Sequence, residues 1–164
     1  WDPEYSHMID VNGNTTATYD AVKTVDGYLA AFADVYGKYT YESTYLRNPL
    51  LVAGRNDLTL AVTDPAKAAD IRSLNGLLVG TFTSKDGKAY VVTNMEELNR
   101  NVTAVFSYRV PFDKTVTVYK QGRELNYMSG AVATISLEPG EGVFITEQKA
   151  EWDNIFSFFD SVAE

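Results

Sequence analysis

"GLLVGTFTSKDGKAYVVTN", residues 76–94, decides the fold. Two apolar runs, 76–83 and 88–94, flank Lys85-Asp86-Gly87. Asp-Gly tolerates the positive φ of a tight hairpin turn, so the two runs read as neighbouring antiparallel strands. The same grammar recurs downstream. In "VTAVFSYRV" (102–110) Val102, Ala104, Phe106, Tyr108 and Val110 alternate onto one face, and Pro111 ends the run. "TVTVYK" (115–120) and "RELNYM" (123–128) flank Gln121-Gly122, while "VATISL" (132–137) and "GVFITE" (142–147) flank Glu138-Pro139-Gly140-Glu141. "LTLAV" (58–62), closed by Asp64-Pro65, is a further candidate strand. About seven strands with short turns predict a mainly β chain, an antiparallel β-sandwich or small barrel, with the sandwich preferred. Residues 40–57 show no clear period, and 66–74 read equally as a short helical turn or a loop.

Working outward, each end of the chain carries a helical pattern. Asn12-Gly13-Asn14 is a polar turn, and Thr15, Thr16 and Thr18 follow as candidate caps. Val22, Val25, Leu29, Phe32, Tyr36 and Tyr39 then recur at spacings of three and four, which predicts one amphipathic helix over 18–39. Lys23, Asp34 and Lys38 take the opposite side. In the tail, Trp152, Ile155, Phe156, Phe159 and Val162 share a face opposite Asp153, Ser157, Asp160 and Ser161. The expected organisation is therefore 1–40 (loop plus helix), 41–148 (sandwich) and 149–164 (a short C-terminal amphipathic helix). An apolar stripe of six large side chains needs cover. The expectation is docking on the chain's own sandwich, with pairing of two copies as the secondary outcome. On that basis Leu29→Asp is expected to cost several kcal/mol.

Composition narrows the function classes. The chain has 164 residues, one domain or one domain plus an appendage. With no Cys it has no disulfide, thiolate metal site or Cys nucleophile. A net charge of −8 disfavours nucleic acid and anionic membranes as partners. No apolar run has the length of a membrane span, and no signal peptide is visible. The chain opens on Trp1 rather than Met, which reads as a piece of a longer protein.

Candidate chemistry is sparse. His7 is the sole His, with no nucleophile setting beside it, and one His cannot build a two- or three-His metal site. Asp10, Asn12 and Asn14 alternate like the start of a calcium loop, but position 21 is Ala where a bidentate Glu is needed, so a capped turn is the better reading. No phosphate loop appears. Glu96-Glu97 and the pair Glu138/Glu141 sit in expected loops and read as solvated charge. Tyr41, Tyr45, Tyr119 and Tyr127 are candidates for stacking on a sugar, although Tyr is also a good strand former. The sequons "NTT" and "NVT" matter only in a eukaryotic secretory pathway.

The opening stretch, "WDPEYSHMIDVNGNTTATYDAVKTVDGYLAAF", resembles the end of the catalytic barrel in clan-A-type, β-galactosidase-like glycoside hydrolases. There the last strand and loop are followed by "G-L-I-D-x-x-G-x-P-T-x-T-Y-x-x-V-K-x-V-N" and the final barrel helix. Ile9, Asp10, Gly13, Thr16, Thr18, Tyr19, Val22, Lys23 and Val25 match; Thr15 replaces the Pro and Asp26 the Asn. The second half is similar to the C-terminal β-sandwich of such enzymes. Gly80, Phe82, Asp86, Gly87, Tyr90, Val92 and Asn94 match its hairpin, and Leu137, Pro139, Gly140, Gly142, Phe144 and Ile145 its closing "L-x-P-G-x-G-x-L/F-I". The tail, 148–164, has no counterpart in that pattern.

The resemblance implies that 1–40 is the remnant of a barrel end and 41–148 an accessory sandwich, with the catalytic carboxylates on barrel strands upstream of Trp1. It implies no enzymatic activity for this chain alone, no cofactor and no metal. Trp1 corresponds to a Trp that lines the sugar site in some members, and is the one carbohydrate-binding candidate so implied. The implied partner is the upstream catalytic barrel; a carbohydrate and a second copy are further ones. The compartment, bacterial cytoplasm or exterior, is left open. The other classes are a carbohydrate-binding module, which requires a row of exposed aromatics, and a stand-alone protein-interaction domain.

Overall fold

The computed structural model describes residues 7–47, 71–73, 76–95 and 101–150. These hold helices α1 (Ala17–Ala30) and α2 (Ala33–Tyr36) and strands β1 (Thr40–Arg47), β2 (Ile71–Ser73), β3 (Leu77–Thr83) and β4 (Lys88–Asn94). Five more follow: β5 (Ala104–Arg109), β6 (Lys114–Lys120), β7 (Arg123–Tyr127), β8 (Val132–Leu137) and β9 (Gly142–Lys149). The chain is mainly β and antiparallel. One sheet has the order β1-β3-β4-β9-β6-β7, the other β2-β5-β8.

Two of the three expected hairpins, β3–β4 and β6–β7, are present in register, and β5 pairs with β8. Val79 faces Val92 across β3–β4, Val118 faces Leu125 across β6–β7, and Phe106 faces Ile135 across β5–β8. Glu138–Glu141 does not close a hairpin within one sheet. It carries the chain from β8 in the smaller sheet to β9 in the larger, where β9 lies between β4 and β6. Residues 40–47, which lack a clear period, form β1; a register shift between Tyr41 and Ser43 breaks the alternation there. Ile71–Ser73 is a strand paired with β5, not a helical turn or loop. Lys149 ends β9 rather than opening the expected C-terminal helix. The candidate strand 58–62 and residues 151–164 lie outside the described residues.

The core between the two sheets is formed by alternate strand positions. Tyr45, Leu77, Val79, Tyr90, Val92, Phe106, Tyr108, Val118, Ile135, Leu137 and Ile145 are all buried there. At roughly 1.5–3 kcal/mol for each large apolar side chain, this layer supplies most of the driving force. A buried carboxylate sits at its edge. Glu147 accepts from the Tyr108 hydroxyl and, at 3.3 Å, from the Lys88 backbone N–H. Asn94, also buried, ties the far end: its amide donates to the carbonyls of Val102 (2.9 Å) and Leu137 (3.0 Å). These partners answer the desolvation cost of burying polar groups.

The larger sheet is apolar on its second face too. Phe82, Ala89, Tyr119 and Phe144 form a separate buried cluster, with Phe32, Val35, Tyr39 and Val91 packed against it. The N-terminal helices therefore make a third layer. Among the described residues no helix is long and apolar enough to cross a membrane.

Candidate functional site: an aromatic cleft beneath the N-terminal helix

The helical segment begins at a built turn. Asp10 accepts the backbone N–H groups of Asn12 and Asn14, both at 2.8 Å, and the Asn14 side chain at 3.1 Å. The hydrogen bonds from Asn14 hold the Asp10 carboxyl below the usual carboxylate range. Gly13 supplies φ +86°, which a side chain rarely adopts. With its carboxylate so occupied, Asp10 completes a turn, as the sequence suggests. Thr16 is the N-cap residue, but its side chain makes no cap bond. It donates to the carbonyls of His7 and Met8 instead, tying the helix start to the segment before it.

The expected single helix, 18–39, is broken. Phe32 leaves helical geometry at φ −127°, ψ 8°, between α1 and α2. The break turns three rings onto the sheet. Phe32 stacks on Phe144 at 5.1 Å, Tyr36 meets Phe144 edge-on at 5.5 Å and Phe82 at 5.4 Å, and Tyr39 meets Phe144 at 5.9 Å. Tyr119 stacks on Phe144 from its other neighbour strand, at 5.9 Å. Burial pushes the Tyr39 hydroxyl above its ordinary pKa, and the Asp86 and Glu147 charges push the same way. Burial raises Tyr119 likewise, assisted by Glu124.

The first part of the helix is not covered. Val22, Val25 and Leu29 are 38%, 52% and 51% exposed, so docking on the sandwich holds only for the C-terminal part of the stripe. Between α1 and the sheet lies a cleft of about 310 Å³. Val25, Tyr28, Leu29 and Phe32 line it from the helical side and Val91, Tyr119, Val143 and Phe144 from the sheet, together with Gly122, Gly140 and Gly142. The polar rim is Gln121 and Glu141. Glu141 accepts from Gln121 Nε2 (2.8 Å) and the Glu138 backbone N–H (2.9 Å), with Lys120 Nζ at 3.3 Å. Chemically, the arrangement offers apolar contact and ring stacking, with a rim whose carboxylate is already engaged.

The other sequence candidates are scattered. Trp1 and the pair Glu96-Glu97 lie outside the described residues. His7 is partly buried beside the turn, remote in sequence from any strand. Of the four Tyr candidates, Tyr45 is buried in the core, Tyr119 lies under Phe32, and Tyr127 packs on the core edge. Tyr41 alone is exposed, at 58%, edge-on to Phe82. These four therefore form no exposed row. Among the described residues no group of three or more His, Asp and Glu side chains is placed to hold a metal. The aromatic layer itself escapes a reading by candidate residue. Its sequence signal is the apolar triplet Val143-Phe144-Ile145 in β9, where burial does not alternate but runs on through Thr146 and Glu147, as in a strand covered on both faces.

No protein-family model, curated protein or solved structure matches this chain.

Proposed function

We propose that this chain is the non-catalytic C-terminal β-sandwich region of a bacterial glycoside hydrolase, accessory to carbohydrate hydrolysis by a catalytic barrel that precedes it. The observation that carries the reading is the divided stripe of the N-terminal helical segment. Phe32, Val35 and Tyr39 bind it to the sandwich, while Val22 stays open and Val25 and Leu29, half exposed, line the unfilled cleft. A helix held by one domain at its end and apolar toward solvent at its start is suited to pack against a second domain. The residues that carry the family resemblance also have structural work consistent with it. Asp10 and Gly13 build the turn before the helix, Asn94 locks the hairpin to the β8–β9 connection, and Gly140 takes φ +76° in that connection.

The test is the reading frame upstream of Trp1 and its product. The longer protein is expected to hydrolyse a nitrophenyl glycoside, and residues 1–164 alone are not. An upstream frame without a barrel refutes the reading. So does turnover by residues 1–164 that a single Asp or Glu substitution in them abolishes.

A further inference from the structure

Asn12 and Gly13 are exposed, in the turn that leads into α1. An asparagine followed by glycine carries a reaction of its own. The glycine nitrogen, having given up its proton to base, attacks the asparagine Cγ and expels the side-chain amide nitrogen as ammonia. Water then opens the resulting five-membered succinimide at either carbonyl, leaving aspartate or isoaspartate. Glycine favours the ring closure because no side chain shields its nitrogen or restricts its backbone. Crowding does not prevent the step here, since nothing lies within 4 Å of where a Cβ of Gly13 would stand.

Hydrogen bonding stands against it instead. The Gly13 N–H, whose proton must leave, donates to the Asp10 carbonyl at 3.1 Å. On the other side of Asn12, its own N–H donates to Asp10 Oδ1 at 2.8 Å, and the Asn14 N–H to the same oxygen at 2.8 Å. Both peptide planes flanking Asn12 are thus pinned to Asp10, and turning the Gly13 nitrogen toward Cγ breaks these bonds. We propose that Asn12 is a self-modifying site gated by Asp10, intact while the turn is closed and converted to isoaspartate when it opens. Conversion matters for the fold, because isoaspartate adds a methylene to the main chain and a negative charge beside the Asp10 carboxylate. The same turn holds the Ile9–Thr15 bridge and the bond from the Thr16 N–H to the Met8 carbonyl (3.1 Å), which seat the start of α1. With the main chain lengthened the turn cannot reclose in register, and the first turn of α1 is released. The inference does not depend on the accessory-domain reading.

The chain is held at mildly alkaline pH and sampled over time by peptide mapping with mass spectrometry, with isoaspartate identified by its enzymatic methylation. Mapping separates Asn12-Gly13 from the other Asn-Gly of the chain, Asn75-Gly76. Conversion at Asn12 is expected to be several-fold slower in the folded chain than in urea. Asp10→Ala is expected to bring the folded rate close to the urea rate, with the far-UV circular dichroism of the sandwich unchanged. Trypsin cleavage after Lys23, within α1, reports local opening of the helix and is expected to be faster in the converted fraction. If Asp10→Ala does not fold, the folded and urea rates of the unsubstituted chain still decide. Three results overturn the inference: conversion as fast in the folded chain as in urea, a folded Asp10→Ala chain that converts no faster than the unsubstituted one, or cleavage after Lys23 that is indifferent to conversion.

Discussion

Phe144→Ala is the sharpest probe of the third layer. Phe144 is 1% exposed and meets four rings, Phe32, Tyr36, Tyr39 and Tyr119, at centroid separations of 5.1, 5.5, 5.9 and 5.9 Å. Truncating a buried Phe costs about 3–5 kcal/mol in lost transfer energy and cavity. Each aromatic pair is worth about 0.5–1.5 kcal/mol beyond its buried area. The upper part of the range is expected here, since the sheet beneath cannot collapse and the helices above are tied in through this ring. A domain of ordinary stability, about 5–15 kcal/mol, would lose about a quarter or more of it. Urea unfolding followed by circular dichroism measures the loss, with an unchanged m-value showing that the midpoint shift reports stability. Phe32→Ala and the double variant complete a cycle, and a coupling of about 0.5–1.5 kcal/mol is expected between the stacked rings. A cost below about 1 kcal/mol for Phe144→Ala, together with no coupling, would refute the packing of the helices on this sheet.

Two further outcomes follow from the same layer. Leu29→Asp, expected from the sequence to cost several kcal/mol, should cost under about 1 kcal/mol in this chain because Leu29 is 51% exposed, whereas Phe32→Asp should be severely destabilising; equal melting shifts for the two would contradict the divided stripe. Tyr39 and Tyr119 ionise above their ordinary 10.0 in the folded chain, so the stability they contribute is fully present below pH 10.0 and is lost as pH rises through the raised values. Thermal melts on a pH series should therefore fall off in the alkaline range, less so in Tyr39→Phe/Tyr119→Phe, and phenol midpoints at the ordinary value would remove the basis for it.

The sandwich was legible because its code is local. Alternation in 102–110 and the Asp86-Gly87 and Gln121-Gly122 turns fix strands and register within a few residues of each other. What the sequence hid depends on distant partners. β1 has a register shift between Tyr41 and Ser43 that spoils its period, and β2 is three residues long, too short to alternate. The helix over 18–39 has an unbroken stripe in sequence, yet Phe32 departs from helical geometry. Local propensity does not forbid a continuous helix there; the break coincides with the stacking of Phe32 on Phe144, a contact across more than a hundred residues. The same limit applies to the cleft. Its walls come from α1, β4, β6 and β9, and no spacing in the sequence brings Leu29 to Val143.

The turn glycines connect these two levels. Gln121 and Gly122 both take positive φ, +49° and +72°, as a tight hairpin turn between β6 and β7 demands. Gly122 has a second reason to lack a side chain. A Cβ there would stand 3.3 Å from Cδ1 of Tyr28, closer than ordinary contact, so a side chain at this position would have to displace the Tyr28 ring by a few tenths of an ångström. The residue that makes the hairpin thus also leaves room for the Tyr28 ring. Phe32, just after α1, stacks on Phe144, and the Tyr28 ring of α1 lies over Gly122. Val22 lies in the helix's N-terminal half, outside the cleft lining, and is 38% exposed. On the proposed reading, that exposed half of the helix is where a neighbouring domain would pack.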